Sequence, residues 1–229
     1  MALFAIADTH LSLSTDKPMD IFGGWQDYVE RLEKNWRAIV KDSDTVVVAG
    51  DISWAMSLDE ALEDFRFINS LPGQKLIFKG NHDYWWCTMK KMEAFLTDNG
   101  LDTLKILHNN AVRVENFAVC GSRGWFFDAE NSADNKILLR EAGRVRRSVQ
   151  CGRELGGDVI AFLHYPPLTN SMVCNEIVNV LREENVTRCY YGHLHGPSTQ
   201  GAFIGERDGI KFDLISGDYL KFCPKLIVP

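Results

Sequence analysis

The feature that most constrains this chain is an alternation between short, continuously apolar runs and longer stretches with helical spacing. Ala2–Ala7, Thr45–Ala49, Lys75–Lys79, Asp158–Leu163 and Thr187–Tyr191 read as buried strands. Between them, Asp27–Lys41, Leu58–Ser70, Cys87–Asn99, Ala133–Gln150 and Val173–Glu184 carry the spacing of amphipathic helices. Such alternation specifies an α/β protein assembled from crossover units. Ala111–Val114 and Asn116–Cys120 add strands, and Asp208-Gly209 turns a hairpin between Ala202–Arg207 and Ile210–Ile215. These supply a second sheet, or mixed sheet edges, packed on the first. No internal repeat, low-complexity segment or composition shift marks a linker, so residues 1–229 read as a single domain.

Bulk properties narrow the function classes. A hydrophobic content of 45% in 229 residues is enough for a full core. The net charge of -6 argues against loose, non-specific binding of polyanions, although a local site can still be positive. Six scattered cysteines form no C-x-x-C pair and read as reduced thiols. The start, MALFAIADTH, lacks a basic n-region, and no window approaches the roughly 18 apolar residues that span a bilayer. The expectation is a soluble, cytoplasmic protein with no membrane partner.

Polar residues are distributed unevenly over this framework. Each of the five buried runs leads straight into a charged or histidine-bearing loop: Asp8-Thr9-His10, Gly50-Asp51, Gly80-Asn81-His82-Asp83, His164-Tyr165-Pro166-Pro167 and Gly192-His193-Leu194-His195. In open α/β sheets ligands gather outside the carboxyl ends of strands. Five of the six histidines fall in these loops, and His108, outside them, reads as an ordinary surface or core residue.

Asp, His and Asn form a hard-to-borderline N/O donor set, suited to manganese, iron or zinc. Asp8 and His10 are two apart, so on a continuing strand both face one side and can bind one ion; His193 and His195 repeat the spacing. Seven candidate ligands (Asp8, His10, Asp51, Asn81, His164, His193 and His195) are too many for one tetrahedral ion and suit two divalent ions that share a carboxylate. Asp51, preceded by Gly50, is the natural bridge. With two carboxylates against two divalent ions, about two positive charges remain to hold a hydroxide and a phosphate oxygen. His82 is then available to protonate a departing oxygen, with Asp83 or a backbone group orienting its ring.

The ordered series D-x-H, G-D, G-N-H-D, H and G-H-x-H closely resembles the signature of the calcineurin-like metallophosphoesterase superfamily. All five blocks are complete between Asp8 and His195. The resemblance implies an αββα sandwich of two mixed sheets flanked by helices, and hydrolysis of a phosphate ester by a metal-bridging hydroxide. It further implies that Asp8, His10, Asp51 and His195 hold one metal, that Asp51, Asn81, His164 and His193 hold the other, and that His82 is the general acid. The protein Ser/Thr phosphatases of that superfamily follow G-D with D-R-G and read G-N-H-E. This chain reads Gly50-Asp51-Ile52-Ser53-Trp54 and Gly80-Asn81-His82-Asp83, so it lacks their phosphate-clamping arginine. Its G-N-H-D form is closer to the phosphodiesterase, nucleotide hydrolase and repair-nuclease branches. Cys120-Gly121-Ser122-Arg123-Gly124-Trp125 is similar to a group of uncharacterised bacterial members.

Other features have two readings each. Trp25, Trp54, Trp85, Trp86 and Trp125 lie in or just beyond the site loops; packing of large aromatics there is favoured over a stacking rim for a planar leaving group. Loop Leu11–Gly24 has the length of a partial lid or of a packed surface loop. Arg123 can meet a substrate phosphate bidentately or serve a structural ion pair. The basic stretch Lys136–Arg153, with Arg140, Arg144 and Arg147 on one face, reads first as a solvated or ion-paired helix face and second as a nucleic-acid contact. The expected substrate is therefore a phosphodiester, nucleotide or other small phosphoester. A nuclease and a non-catalytic scaffold of the same fold are the alternatives, the latter disfavoured by a complete ligand set.

Overall fold

The computed structural model describes residues 1–125 and 132–229, which group into two compact units: Met1–Ile106 with Ile215–Pro229, and Leu107–Leu214. The chain begins in the first unit with β1 (Leu3–Ile6), α1 (Tyr28–Ile39), β2 (Thr45–Val48), α2 (Leu62–Ser70), β3 (Gln74–Ile77), α3 (Met89–Asp98) and β4 (Leu104–Ile106). The second unit contains β5 (Ala111–Val114), β6 (Phe117–Ser122), α4 (Ser132–Leu155), β7 (Asp158–Leu163), α5 (Asn175–Glu183), β8 (Arg188–Tyr191), a 3-10 turn at Gly196–Gly201, β9 (Gly205–Arg207) and β10 (Ile210–Leu214). The chain then returns to the first unit with β11 (Lys225–Val228).

In the first unit the sheet order is β11-β1-β2-β3-β4, parallel except for β11. Every residue of β1 and β2 is buried, as expected of parallel strands covered on both faces. The helices bury regular stripes against this core: Tyr28, Leu32 and Trp36 from α1, Phe65 and Ile68 from α2, Met92 and Leu96 from α3. In the second unit the order is β5-β6-β7-β8-β10-β9, with antiparallel strands only at the two edges. Leu138, Ala142, Val145 and Val149 of α4 and Ile177, Val178, Val180 and Leu181 of α5 fill its core. Two mixed sheets with flanking helices match the expected fold class.

All five runs read as buried strands are strands, and all five helical stretches are helices. Two strands were not anticipated. β4 is only three residues long, and β11 is a half-exposed edge strand that follows Pro224 and lacks the alternation that marks a strand in sequence. The expected strand Ala202–Arg207 is shorter than read. Ala202 makes only an isolated bridge to Thr169, and pairing with β10 begins at Gly205. No helix among the described residues is long and apolar enough to cross a membrane.

Lys75 of β3 is fully buried in the first unit. Its Nζ donates to the carbonyls of Leu71 (2.5 Å), Gly73 (2.8 Å) and Asn69 (3.3 Å), and so caps the C-terminal end of α2, whose last turn holds no basic residue. Burial draws its ammonium down to about 8. Lys75→Met, of similar length but without a donor, leaves buried acceptors unpaired and should destabilise the fold by about 1–3 kcal/mol. A urea midpoint equal to that of the parent would contradict this role.

Candidate functional site

Strand register brings the polar loops to one edge of each sheet. In the first unit Ile6, Val48 and Ile77 lie in one row across β1, β2 and β3. Asp8, Asp51 and Asn81 follow two, three and four residues past that row. The loops after β1 and β2 continue to pair: Asp8 N–H donates to Gly50 O (2.9 Å), His10 N–H to Asp51 O (3.0 Å) and Leu11 N–H to Ile52 O (2.9 Å). The Tyr28 hydroxyl donates to His10 O (2.8 Å) and the Thr9 hydroxyl to Ile52 O (2.9 Å). Asp8, His10 and Asp51 are almost wholly buried, whereas Asn81 and His82 are half-buried.

The backbone here is unusual. Among the described residues eleven non-glycine residues have positive φ, and four are candidate ligands: Asp8 (60°), His10 (43°), Asp51 (49°) and His193 (72°). Each such residue costs on the order of 1–3 kcal/mol, and this strain concentrates where function overrides local preference. It also corrects one expectation. Asp8 and His10 do not share a face through a continuing strand, because β1 ends at Ile6 and both residues are left-handed. Asn81 and His82 sit in a bend. In the first unit the ligand atoms of Asp8 and His10 nevertheless lie within 4.8 Å of one another, and His10 Nε2 is 3.8 Å from Asp51 Oδ2.

Asp83 holds these loops in place. Its buried carboxylate accepts from the N–H groups of Gly80 (2.6 Å), Ile52 (2.8 Å), Asp51 (2.9 Å) and Ser53 (3.4 Å), and from the Trp85 indole (3.1 Å). His82 N–H donates to Asp51 Oδ1 (2.7 Å), and the His82 Nδ1 lies 3.4 Å from the Tyr84 hydroxyl. Gly80 has no room for a side chain: a Cβ there would stand 2.1 Å from Asp51 Oδ1. The returning segment after β10 closes the other side, where Ser216 bridges Ala7 and a Cβ on Gly217 would meet Asp8 O at 2.9 Å. Sequence reading missed this segment, although Ser216-Gly217-Asp218 directly after an apolar run carries the same signature as the five loops it identified.

In the second unit Ser122, Leu163 and Tyr191 share a row across β6, β7 and β8, so Arg123, His164 and His193 emerge together. The ligand atoms of His164 and His193 lie within 4.8 Å of one another, and their ring centroids are 5.2 Å apart. The Tyr165 ring packs on His193 at 4.4 Å. His164 is fully buried; His193 and His195 are half-buried, and His195 N–H donates to the Ser198 hydroxyl (2.8 Å) at the start of the 3-10 turn. The backbone carbonyl of Arg123 accepts from His164 (3.0 Å) and Tyr165 (2.8 Å), and its guanidinium lies 5.1 Å from the Trp125 ring and 6.0 Å from that of Tyr165. Buried Glu141 of α4 fixes this loop by accepting from the Ser122 hydroxyl and from Gly124 N–H (3.1 Å).

Among the described residues, three of the six basic residues in Lys136–Arg153 are ion-paired within their own unit, only Arg144 among them from the face of Arg140, Arg144 and Arg147. Arg144 meets Glu141 (2.8 Å), Arg146 meets Glu183 (2.5 Å) and Glu184 (3.0 Å), and Arg153 meets Glu184 (2.9 Å). Burial pushes the Glu184 carboxyl up, but hydrogen bonds from Arg153, Gln150 and Arg146 outweigh it and hold the group below its ordinary value. Of the site-loop tryptophans, Trp25 and Trp85 are buried in the core of the first unit.

Buried carboxylate beside imidazole in the first unit, and paired imidazoles in the second, make donor sets that fit a hard-to-borderline divalent cation. Gly80→Ala would displace Asp51 and should weaken manganese binding by roughly 10–100-fold while the fold is kept. Titration calorimetry checks this; parent-like affinity would contradict the close packing of Gly80 on Asp51.

Comparison with known proteins agrees with this reading. The family model described as calcineurin-like phosphoesterase matches residues 1–197. No curated protein matches the chain. Among solved structures, a protein of unknown function from Aquifex aeolicus is similar, with 15% identity, a TM-score of 0.54 and coverage of 98% of this chain and 95% of that one. The phosphopantetheinyl hydrolase of Mycobacterium tuberculosis is similar at 14% identity and a TM-score of 0.54, with 100% and 96% covered. A third similar structure, TT1561 of Thermus thermophilus, has 12% identity and a TM-score of 0.56, with 84% and 81% covered. At such identities these likenesses show the fold.

Proposed function

The chain belongs to the calcineurin-like phosphoesterase family and is a hydrolase, and from that premise we propose that it hydrolyses a small phosphoester, a phosphodiester or nucleotide before a phosphoprotein, at a dinuclear metal centre. In this reading Asp8, His10, Asp51 and His195 would hold one divalent ion, and Asp51, Asn81, His164 and His193 would hold the other. The ions, of manganese, iron or zinc, would supply the positive charge that steadies phosphate oxygens and eases the ionisation of water at neutral pH.

The observation that carries this reading is the left-handed backbone at Asp8, His10, Asp51 and His193. Four strained residues coincide with four of the seven motif positions, which packing alone does not require.

The chain's own groups divide the remaining work. His82 is tied through its backbone to Asp51 while its half-buried ring lies beside the Tyr84 hydroxyl. It is suited to hand a proton to the leaving oxygen without ligating metal. Asp83 acts through the backbone it holds, as a positioning residue. Arg123, lodged against two aromatic faces, would meet a phosphate oxygen pair. A nuclease reading finds less support, because Arg144, Arg146 and Arg153 already face carboxylates. Six free cysteines support a reducing, cytoplasmic setting.

Two measurements test the reading. Manganese-loaded protein should hydrolyse bis-p-nitrophenyl phosphate or nucleotides and turn over phosphoserine peptides poorly; efficient phosphopeptide hydrolysis without diesterase or nucleotidase activity would overturn the substrate class. His82→Asn should retain metal and lose on the order of 10²–10⁴-fold in rate on esters with poor, alkoxide-like leaving groups. The loss should be smaller for p-nitrophenyl esters, whose leaving oxygen needs little protonation. Equal losses on both, with metal content reduced, would refute the acid assignment.

A further inference from the structure

Trp54 follows Gly50-Asp51 at the place where the protein phosphatases carry D-R-G. Trp25 also meets the His10 ring, tilted at 58° and 5.7 Å, but Trp54 meets both His10 and His82. Its indole lies nearly parallel to the His10 imidazole, with centroids 4.8 Å apart and planes at 20°. The same indole meets the His82 imidazole at 4.6 Å and 47°. The two imidazoles are themselves 6.0 Å apart, so one aromatic side chain touches both.

The backbone around Trp54 is pinned on either side. Trp54 N–H donates to Leu11 O (2.9 Å). Before it, the Ser53 hydroxyl donates to buried Asp64 (2.5 Å) and accepts from Ala55 N–H (3.1 Å), while the second oxygen of Asp64 accepts from Leu13 N–H (2.8 Å). The indole N–H is buried and has no hydrogen-bond partner among the described residues. Ring contacts, and not a polar anchor, therefore hold the indole, and its position and that of the two imidazoles are mutually set.

We propose that Trp54 is a positioning residue that fixes the ring plane of His10 for metal and restrains the ring of His82 for proton donation. The His82 half of this proposal rests on the acid assignment above, and the His10 half rests on the assignment of His10 as a metal ligand. An imidazole has two soft torsions, and ligation and proton transfer each use one nitrogen in one direction. A flat wall against both rings removes the orientations in which either points elsewhere. Ordinary core packing would make Trp54 matter for stability without distinguishing one substrate from another.

The test compares Trp54→Leu, which keeps apolar bulk without a ring, with Trp54→Phe, which keeps a ring face. Metal-free Trp54→Leu should bind manganese about tenfold more weakly by titration calorimetry. At saturating metal its kcat on an alkyl ester should fall about tenfold more than on the p-nitrophenyl ester, with KM little changed. Trp54→Phe should restore most of both effects. Parent-like manganese affinity together with a parent-like ratio between the two esters in Trp54→Leu overturns the proposal, and so does a Trp54→Phe protein as impaired as Trp54→Leu. Trp54→Met replaces the leucine variant if that one fails to fold. His82→Asn, assayed alongside, separates the two readings. If it keeps the parent's ratio, the acid assignment has failed and manganese affinity alone decides for or against Trp54. If it changes the ratio and Trp54→Leu does not, the role of Trp54 at His82 has failed.

Discussion

The carboxylate of Asp83 is the interaction on which the arrangement of the first unit depends. Buried, it gathers N–H groups from Gly80, Asp51 and Ile52, and the indole of Trp85. These donors come from the loops after β2 and β3, which would otherwise present unpaired amides at the end of a parallel sheet. A carboxylate is a stronger acceptor than a backbone carbonyl, and several donors converging on it offset its desolvation. With the loop after β2 held in this way, Asp51 takes a left-handed conformation that its side chain would not choose alone, and the loop after β1 pairs alongside it. The strain at Asp8, His10 and Asp51 is thus supported by hydrogen bonds a few ångströms away.

The second unit solves the same problem with a different group. Glu141 comes from α4, not from the loop it holds, and accepts from Ser122 and Gly124 on either side of Arg123. The Arg123 carbonyl then accepts from the backbone N–H groups of His164 and Tyr165. Both units therefore fix polar loops at their strand ends with buried carboxylates. Asp83 and Glu141 were legible in the sequence only in part: Asp83 through its place in G-N-H-D, Glu141 only as the one acid within the basic stretch Lys136–Arg153.

What sequence revealed best was whatever depends on local pattern. Val46-Val47-Val48 and Val159-Ile160-Ala161-Phe162-Leu163 can hardly be anything but buried strands, and the polar residues that follow them mark the carboxyl edge. β4 and β11 escaped because their pairing depends on partners distant in sequence and not on their own composition. The way the ligands are aimed escaped too. A spacing of two residues suggested a common strand face for Asp8 and His10, whereas positive φ at both residues sets their directions. Backbone handedness at a non-glycine residue is decided by tertiary hydrogen bonds and leaves no mark in a single sequence. Trp54 was visible as one tryptophan among several; its stacking on His10 and its contact with His82 separate it from Trp25, a core residue that meets His10 at a tilt, and from Trp85.

The proposed dinuclear centre shares the carboxylate of Asp51 between its two ions. Anomalous diffraction from a manganese-soaked crystal tests it most directly. The account predicts two peaks about 3.5–4 Å apart with Asp51 reaching both. A well-occupied single ion with the Asp51 carboxylate turned away from it would contradict the claim.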